Sequence, residues 1–148
     1  KIAEFGAQMM FNEVFDDDDQ KITDGCLRAI EAGAEIVFCT GGMSVDPDDK
    51  TPLAIKNTGA RIVSYGSPVL PGAMFLLSYY DAGDRLVPIC GLPGCAMYNK
   101  RTIFDIVLPR LMACDMILAD ELAGLGEGGL CLNCDVCTFP NCGFGKGF

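Results

Sequence analysis

The chain has 148 residues, with 11 Lys and Arg against 20 Asp and Glu, nine cysteines and no histidine. A formal charge of −9 excludes nucleic acid as the main partner, because neutralising phosphates takes Lys and Arg. Without histidine, imidazole is absent both as general base and as metal ligand.

Half of the residues are hydrophobic, enough for one domain with its own core. Lys1 to Phe5 read as the last turn of a helix closed by Gly6. The fold is therefore expected to lack its first strand and most of its first helix. Residues 7–15 predict a strand, which runs into Asp16, Asp17, Asp18 and Asp19. Four successive acids form a solvated loop, yet here they also precede a helix, whose free N–H groups they can cap. Ile22, Cys26 and Ile30, with Leu27 beside them, predict the apolar face of that helix, which Gly33 ends.

Ile36-Val37-Phe38-Cys39 is an apolar run too short for a helix and fits a buried strand. It runs into Thr40-Gly41-Gly42-Met43-Ser44, and then into a loop with Asp46, Asp48 and Asp49. Thr51 is expected to cap the next helix, with Pro52 at its first position and Gly59 after its end. Residues 61–65 predict a strand, and residues 74–80 and 85–90 a hairpin around Asp81 to Asp84. The uncharged stretch 62–80 contains Gly66, Pro68, Pro71 and Gly72, and reads as strand, turn and strand rather than a membrane span. After Gly91-Leu92-Pro93-Gly94 a helix is expected from Gly94 to about Met112, kinked or ended by Pro109. A short helical turn follows over 120–125. Alternating strands and helices predict an α/β fold with a mainly parallel sheet and an antiparallel edge. Residues 1–118 form the expected domain, and residues 119–148 a Gly/Cys-rich tail.

A glycine turn at the carboxyl end of a strand is where α/β proteins bind ligands. The N–H groups from Thr40 to Met43 suit a phosphate or pterin group, although Thr-Gly-Gly by itself also makes an ordinary tight turn. The stretch from Thr40 through Asp49-Lys50-Thr51-Pro52, together with Gly91-Leu92-Pro93-Gly94, resembles the two signature loops of the molybdopterin-binding domain family. That resemblance implies a three-layer α/β/α sandwich, incomplete at its N-terminus here. It also implies molybdopterin, held as a pterin phosphate by Thr40, Gly41, Gly42, Met43, Ser44, Gly91, Pro93 and Gly94. Asp17 and Asp49 would orient Mg²⁺ and the phosphates during nucleotidyl transfer from ATP or insertion of molybdate. A cytoplasmic homo-oligomer is implied as well. The chain departs from the family at Cys95-Ala96, where Asn-Pro is usual, and at Asp16, which stands in place of a proline. A non-catalytic protein that holds or senses the cofactor is the alternative.

The tail holds Cys131-x₂-Cys134-x₂-Cys137-x₄-Cys142. Three readings stay open: a metal site (Zn²⁺ or an iron–sulfur cluster), free or redox-active thiols, and disulfides. The protein could act chiefly through this tail. Cys95, beside the second glycine loop, is either packed or an activated thiolate, and Lys100 and Arg101 either reach an anion or are solvated.

Overall fold

The computed structural model describes residues 1–147. A 3₁₀ turn over Ile2–Phe5 ends at Gly6, whose φ of 75° lies in the left-handed region that glycine tolerates. Residues 7–15, read above as a strand, join no sheet and, like the acids 16–18, belong to no helix or strand. Their apolar residues do not alternate into a buried face, since Met9, Met10, Phe11 and Val14 are all exposed. Only Phe15 turns inward, its ring against Gly25.

Helix α1 (Asp19–Glu31) starts where the acids predict, because the Asp18 carboxylate accepts from the N–H groups of Gln20 and Lys21. Strand β1 (Val37–Thr40) precedes helix α2 (Thr51–Asn57). Strands β2 (Arg61–Tyr65), β3 (Leu76–Asp81) and β4 (Leu86–Leu92) complete a sheet of order β1-β4-β3-β2. Only β1–β4 is parallel; β4–β3 and β3–β2 are antiparallel, so parallel pairing is less extensive than the alternating pattern predicts. The hairpin accounts for this: a short turn can join only antiparallel strands.

The single long helix expected after Gly94 is in fact two, α3 (Cys95–Tyr98) and α4 (Ile103–Met112). Thr102 and Asp105 break it by forming a reciprocal capping box that starts α4 afresh. Pro109 lies inside α4, which nevertheless runs on to Met112. Helix α5 (Ala119–Gly124) and a 3₁₀ turn (Leu125–Gly128) lead into the tail. Among the described residues, no helix is long and apolar enough to cross a membrane.

Alternation along the central strands creates the three layers. Leu76, Val87 and Ile89 pack with Ile30, Met43 and Ile55 on the α1/α2 face. Leu77, Tyr79, Cys90 and Leu92 face α4 and α5, meeting Phe104, Val107, Leu108, Leu111, Ile117 and Leu122. The tail joins this second layer: Phe144 is buried in the same cluster. Arg110 ties α4 to the following chain through Asp115 (2.6 Å) and Glu121 (2.7 Å).

Asp105 is the buried charge of that layer. Its carboxylate accepts from Lys1 Nζ (2.7 Å), Arg101 (2.9 Å) and the Thr102 N–H (2.8 Å). Burial pushes its pKa up, but these three donors outweigh burial and hold it below the usual carboxylate range. A depressed carboxylate stabilises the fold above its ordinary pKa and ceases to do so as pH falls through the depressed value. At the sheet edge, Met43 is buried against Gly91, where an added Cβ would lie 2.5 Å from Met43 Cε and 3.2 Å from Leu76 Cβ. The absence of a side chain at Gly91 makes room for Met43.

Two predictions follow from these contacts. Asp105→Asn should cost about 1–2 kcal/mol at neutral pH, and the gap to wild type should narrow below about pH 4 in urea titrations. Gly91→Ala should destabilise by about 1–3 kcal/mol. That penalty should shrink in a Met43→Ala background, because the clash is then largely gone, and a double-mutant cycle on denaturation midpoints measures the coupling.

Candidate functional site

The parallel register of β1 and β4 pairs Cys39 with Gly91 and Thr40 with Leu92. Both glycine loops therefore leave the sheet at the same edge, side by side. Gly41 and Gly42 take φ values of 83° and 57°, which turn the chain back over that edge. Thr51 stabilises the turn by an unexpected route. It is the first residue of α2 rather than its cap, and its Oγ1 donates to the Gly41 carbonyl at 2.8 Å. An added Cβ on Gly42 would sit 2.8 Å from that same Oγ1.

The acidic loop closes on itself. The Ser44 N–H donates to Asp49 Oδ2 at 2.5 Å, and the Asp46 N–H donates to Ser44 Oγ at 3.2 Å. Among the described residues, Asp49 Oδ1 and the N–H groups of Gly42 and Met43 have no protein partner. Two donors of the turn and one carboxylate oxygen of the loop are thus left for solvent or a ligand. Met43 contributes its N–H to this row while its side chain is spent on the core.

Asp17 is placed differently. It is exposed, two residues before α1, and makes no hydrogen bond among the described residues. Nearby Asp19 accepts from Asn57 Nδ2 (3.1 Å), at the last residue of α2, whereas Asp49 lies two residues before its first. The start of α1, two residues after Asp17, and Asp49 therefore lie at opposite ends of α2, a helix of seven residues that is about 10 Å long. In the second loop, Pro93 accepts from the Ala96 N–H (2.9 Å) and Gly94 from the Met97 N–H (3.1 Å), which starts α3. Burial raises the Cys95 thiol's pKa, against donation from its own and the Ala96 N–H, so this thiol is not activated.

A second place of chemical interest lies away from these loops. A cavity of about 510 Å³ is lined by Cys131, Cys134, Cys137 and Cys142, with Arg101, Phe139 and the glycines of 126–129. No residue of either glycine loop lines it. The Arg101 guanidinium lies 4.8 Å from the centre of the Phe139 ring. The Phe139 N–H and then Arg101 lower the pKa of the Cys137 thiol. All nine cysteines are free thiols. Among the described residues, no three His, Cys, Asp or Glu side chains are gathered closely enough to hold a metal ion.

Sequence reasoning found both loops but missed the Met43–Gly91 contact that joins them and the Thr51 hydroxyl that ties the first to α2. The pairing of a large flexible residue with a glycine was a possible signal, but it has meaning only once β1 and β4 are known to be neighbours. Arg101, read above as reaching an anion or solvated, instead bridges Asp105 and the cysteine cavity.

No curated protein matches the chain. The family model described as "Probable molybdopterin binding domain" matches residues 1–113, which include both glycine loops and the whole sheet. With that match over most of its length, the chain belongs to the molybdopterin-binding domain family.

Proposed function

We propose that this chain binds the phosphorylated pterin of molybdenum-cofactor synthesis across its two glycine loops, and that it takes part in nucleotidyl transfer to that pterin or insertion of molybdate into it. The observation that carries the reading is the β1–β4 register, which sets Thr40-Gly41-Gly42 beside Leu92-Pro93-Gly94 at one sheet edge. Thr40, Gly41, Gly42, Met43 and Ser44 form one wall of the proposed site, and Gly91, Pro93 and Gly94 the other. The unpartnered N–H groups of Gly42 and Met43 suit an anionic oxygen.

A phosphate beside Asp49 needs a cation between the two, since bare carboxylates repel it. Asp49 suits Mg²⁺, which commonly takes one or two carboxylates together with substrate phosphates. Its Oδ2 is fixed by Ser44 and its Oδ1 is available. When bound, Mg²⁺ would neutralise charge developing on transferred phosphate oxygens. The Ser44 N–H orients the carboxylate, and the Thr51 hydroxyl holds the turn around it. Asp17, just ahead of α1, is the proposed second carboxylate, and transfer of a nucleotide from ATP is the reading that uses it. A cytoplasmic homo-oligomer is proposed with it.

One departure favours a second reading, in which the chain holds or senses the cofactor without transforming it. Cys95-Ala96 replaces the Asn-Pro usual in the family, and the Cys95 thiol's pKa is raised by burial.

Calorimetric titration of molybdopterin into the full chain under anaerobic conditions tests the binding. Saturable binding is expected, weakened about 10- to 100-fold by Asp49→Ala and to a similar degree by chelating Mg²⁺. Undetectable binding, or binding unaffected by Asp49→Ala, would sink the assignment. Turnover lost in Asp17→Asn with binding retained would separate catalysis from holding.

A further inference from the structure

Cys26 of α1 and Cys39 of β1 bring their sulfurs within 3.6 Å of one another, although they stand 13 residues apart in the chain. Both are presented by anchored elements. Helix α1 is held on either side of Cys26: Thr23 Oγ1 donates to the Ala54 carbonyl at 3.0 Å, and Arg85 donates to the Ile30 carbonyl at 3.3 Å. Strand β1 is held by its register on β4, which pairs Cys39 with Gly91. Neither sulfur hangs on a loop.

The sheet separates this pair from the other interior thiols. Cys39 packs on the α1/α2 face, with Ile30, Met43 and Ile55. Cys90, Cys131 and Cys142 belong to the opposite layer, with α4 and α5. Cys26 and Cys39 are thus partners for each other, with the strands standing between them and any competitor. Access comes through Cys39, which is half-buried and sits on the end strand of the described sheet.

Within the pair, negative charge is drawn to Cys26. Donation from Cys39 lowers the Cys26 pKa against the opposing effect of burial, while that bond and burial raise Cys39 well above the ordinary thiol value. The thiolate is the reactive form of cysteine. One sulfur is therefore poised to attack, and the other already lies beside it to complete a bond.

We propose that Cys26 and Cys39 form a reversible disulfide when the protein meets a hydroperoxide, fastening α1 to the strand that carries the first glycine turn. The Cys26 thiolate attacks one peroxide oxygen, the O–O bond breaks and hydroxide leaves, which gives a sulfenic acid. The Cys39 sulfur then attacks the Cys26 sulfur, the S–O bond breaks, and water leaves with the Cys39 proton. Two thiols and one hydrogen peroxide give one disulfide and two waters. The sulfurs close from 3.6 Å to the roughly 2.0 Å of a disulfide bond. A dithiol reductant reverses the step by exchange. The bond lies one residue before Thr40 and does not depend on what the glycine loops bind.

Tryptic peptides make the test direct. Cleavage after Lys21, Arg28 and Lys50 leaves Cys26 in peptide 22–28 and Cys39 in peptide 29–50, each without a second cysteine. The full folded chain is treated with hydrogen peroxide, remaining thiols are alkylated, and the digest is analysed by mass spectrometry without reductant. The two peptides should appear joined, two hydrogens lighter than their sum, and should separate on adding dithiothreitol. The oxidised chain should also melt about 5 °C above the reduced chain, because a cross-link restricts the unfolded ensemble. Peroxide reaches the exposed tail thiols as well, so this rise is read against Cys26→Ala and Cys39→Ala, in which it should be absent. The proposal is overturned if the folded chain yields 22–28 and 29–50 unlinked while Cys134 and Cys137 are oxidised, or if linkage requires unfolding the chain first. It is equally overturned if either peptide is joined mainly to a tail cysteine, or if both alanine variants show the same rise in melting temperature.

Discussion

The parallel pairing of β1 with β4 is the constraint on which the rest depends. It joins strands separated by some fifty residues of chain, and it sets two glycine turns at one edge although each is an unremarkable turn when taken alone. The pairing is locked from the side by Met43, which crosses from the first loop onto Gly91 of the second strand. A Cβ at position 91 would meet the thioether end of Met43, which would have to shift. The glycine there serves packing between strands, while Gly41 and Gly42 serve the turn itself.

Around that edge the backbone presents its donors and the acids are kept in order. Asp49 is oriented by the Ser44 N–H, and the turn is tied to α2 by the Thr51 hydroxyl. Each of these bonds is local, yet among the described residues they leave the N–H groups of Gly42 and Met43 and one Asp49 carboxylate oxygen without a protein partner. An unpaired donor at a glycine turn is a common means of binding anions, since no side chain shields it.

The other face of the sheet has a different character. Asp105 sits between Lys1 and Arg101, and through Arg101 the capping of α4 is connected to the wall of the cysteine cavity. Burying a carboxylate is tolerable only because three donors converge on it. The same guanidinium lies against Phe139 and beside Cys137, so the tail is electrostatically part of the domain rather than an appendage.

Much of this was legible from the residues alone. The Asp18 cap, the α1 stripe of Cys26 and Ile30, the hairpin around Asp81 to Asp84 and the α5 turn all follow from short-range patterns, because capping, amphipathic spacing and turn chemistry act within a few residues. The family resemblance likewise rested on two contiguous stretches, and residues 1–113 do match that family. Where the reading failed, long-range packing decided. Residues 7–15 suggest a strand but find no neighbouring strand to pair with. The helix after Gly94 divides because the Thr102–Asp105 box, fixed by Lys1 over a hundred residues away in sequence, restarts it. By itself, then, the sequence determined the local elements, the two glycine turns and the spacing of the tail thiols. Tertiary structure alone decided that the turns are neighbours, that Asp49 and the start of α1 lie at opposite ends of α2, and that four cysteines share one cavity, since strand order and docking depend on contacts between residues far apart in the chain.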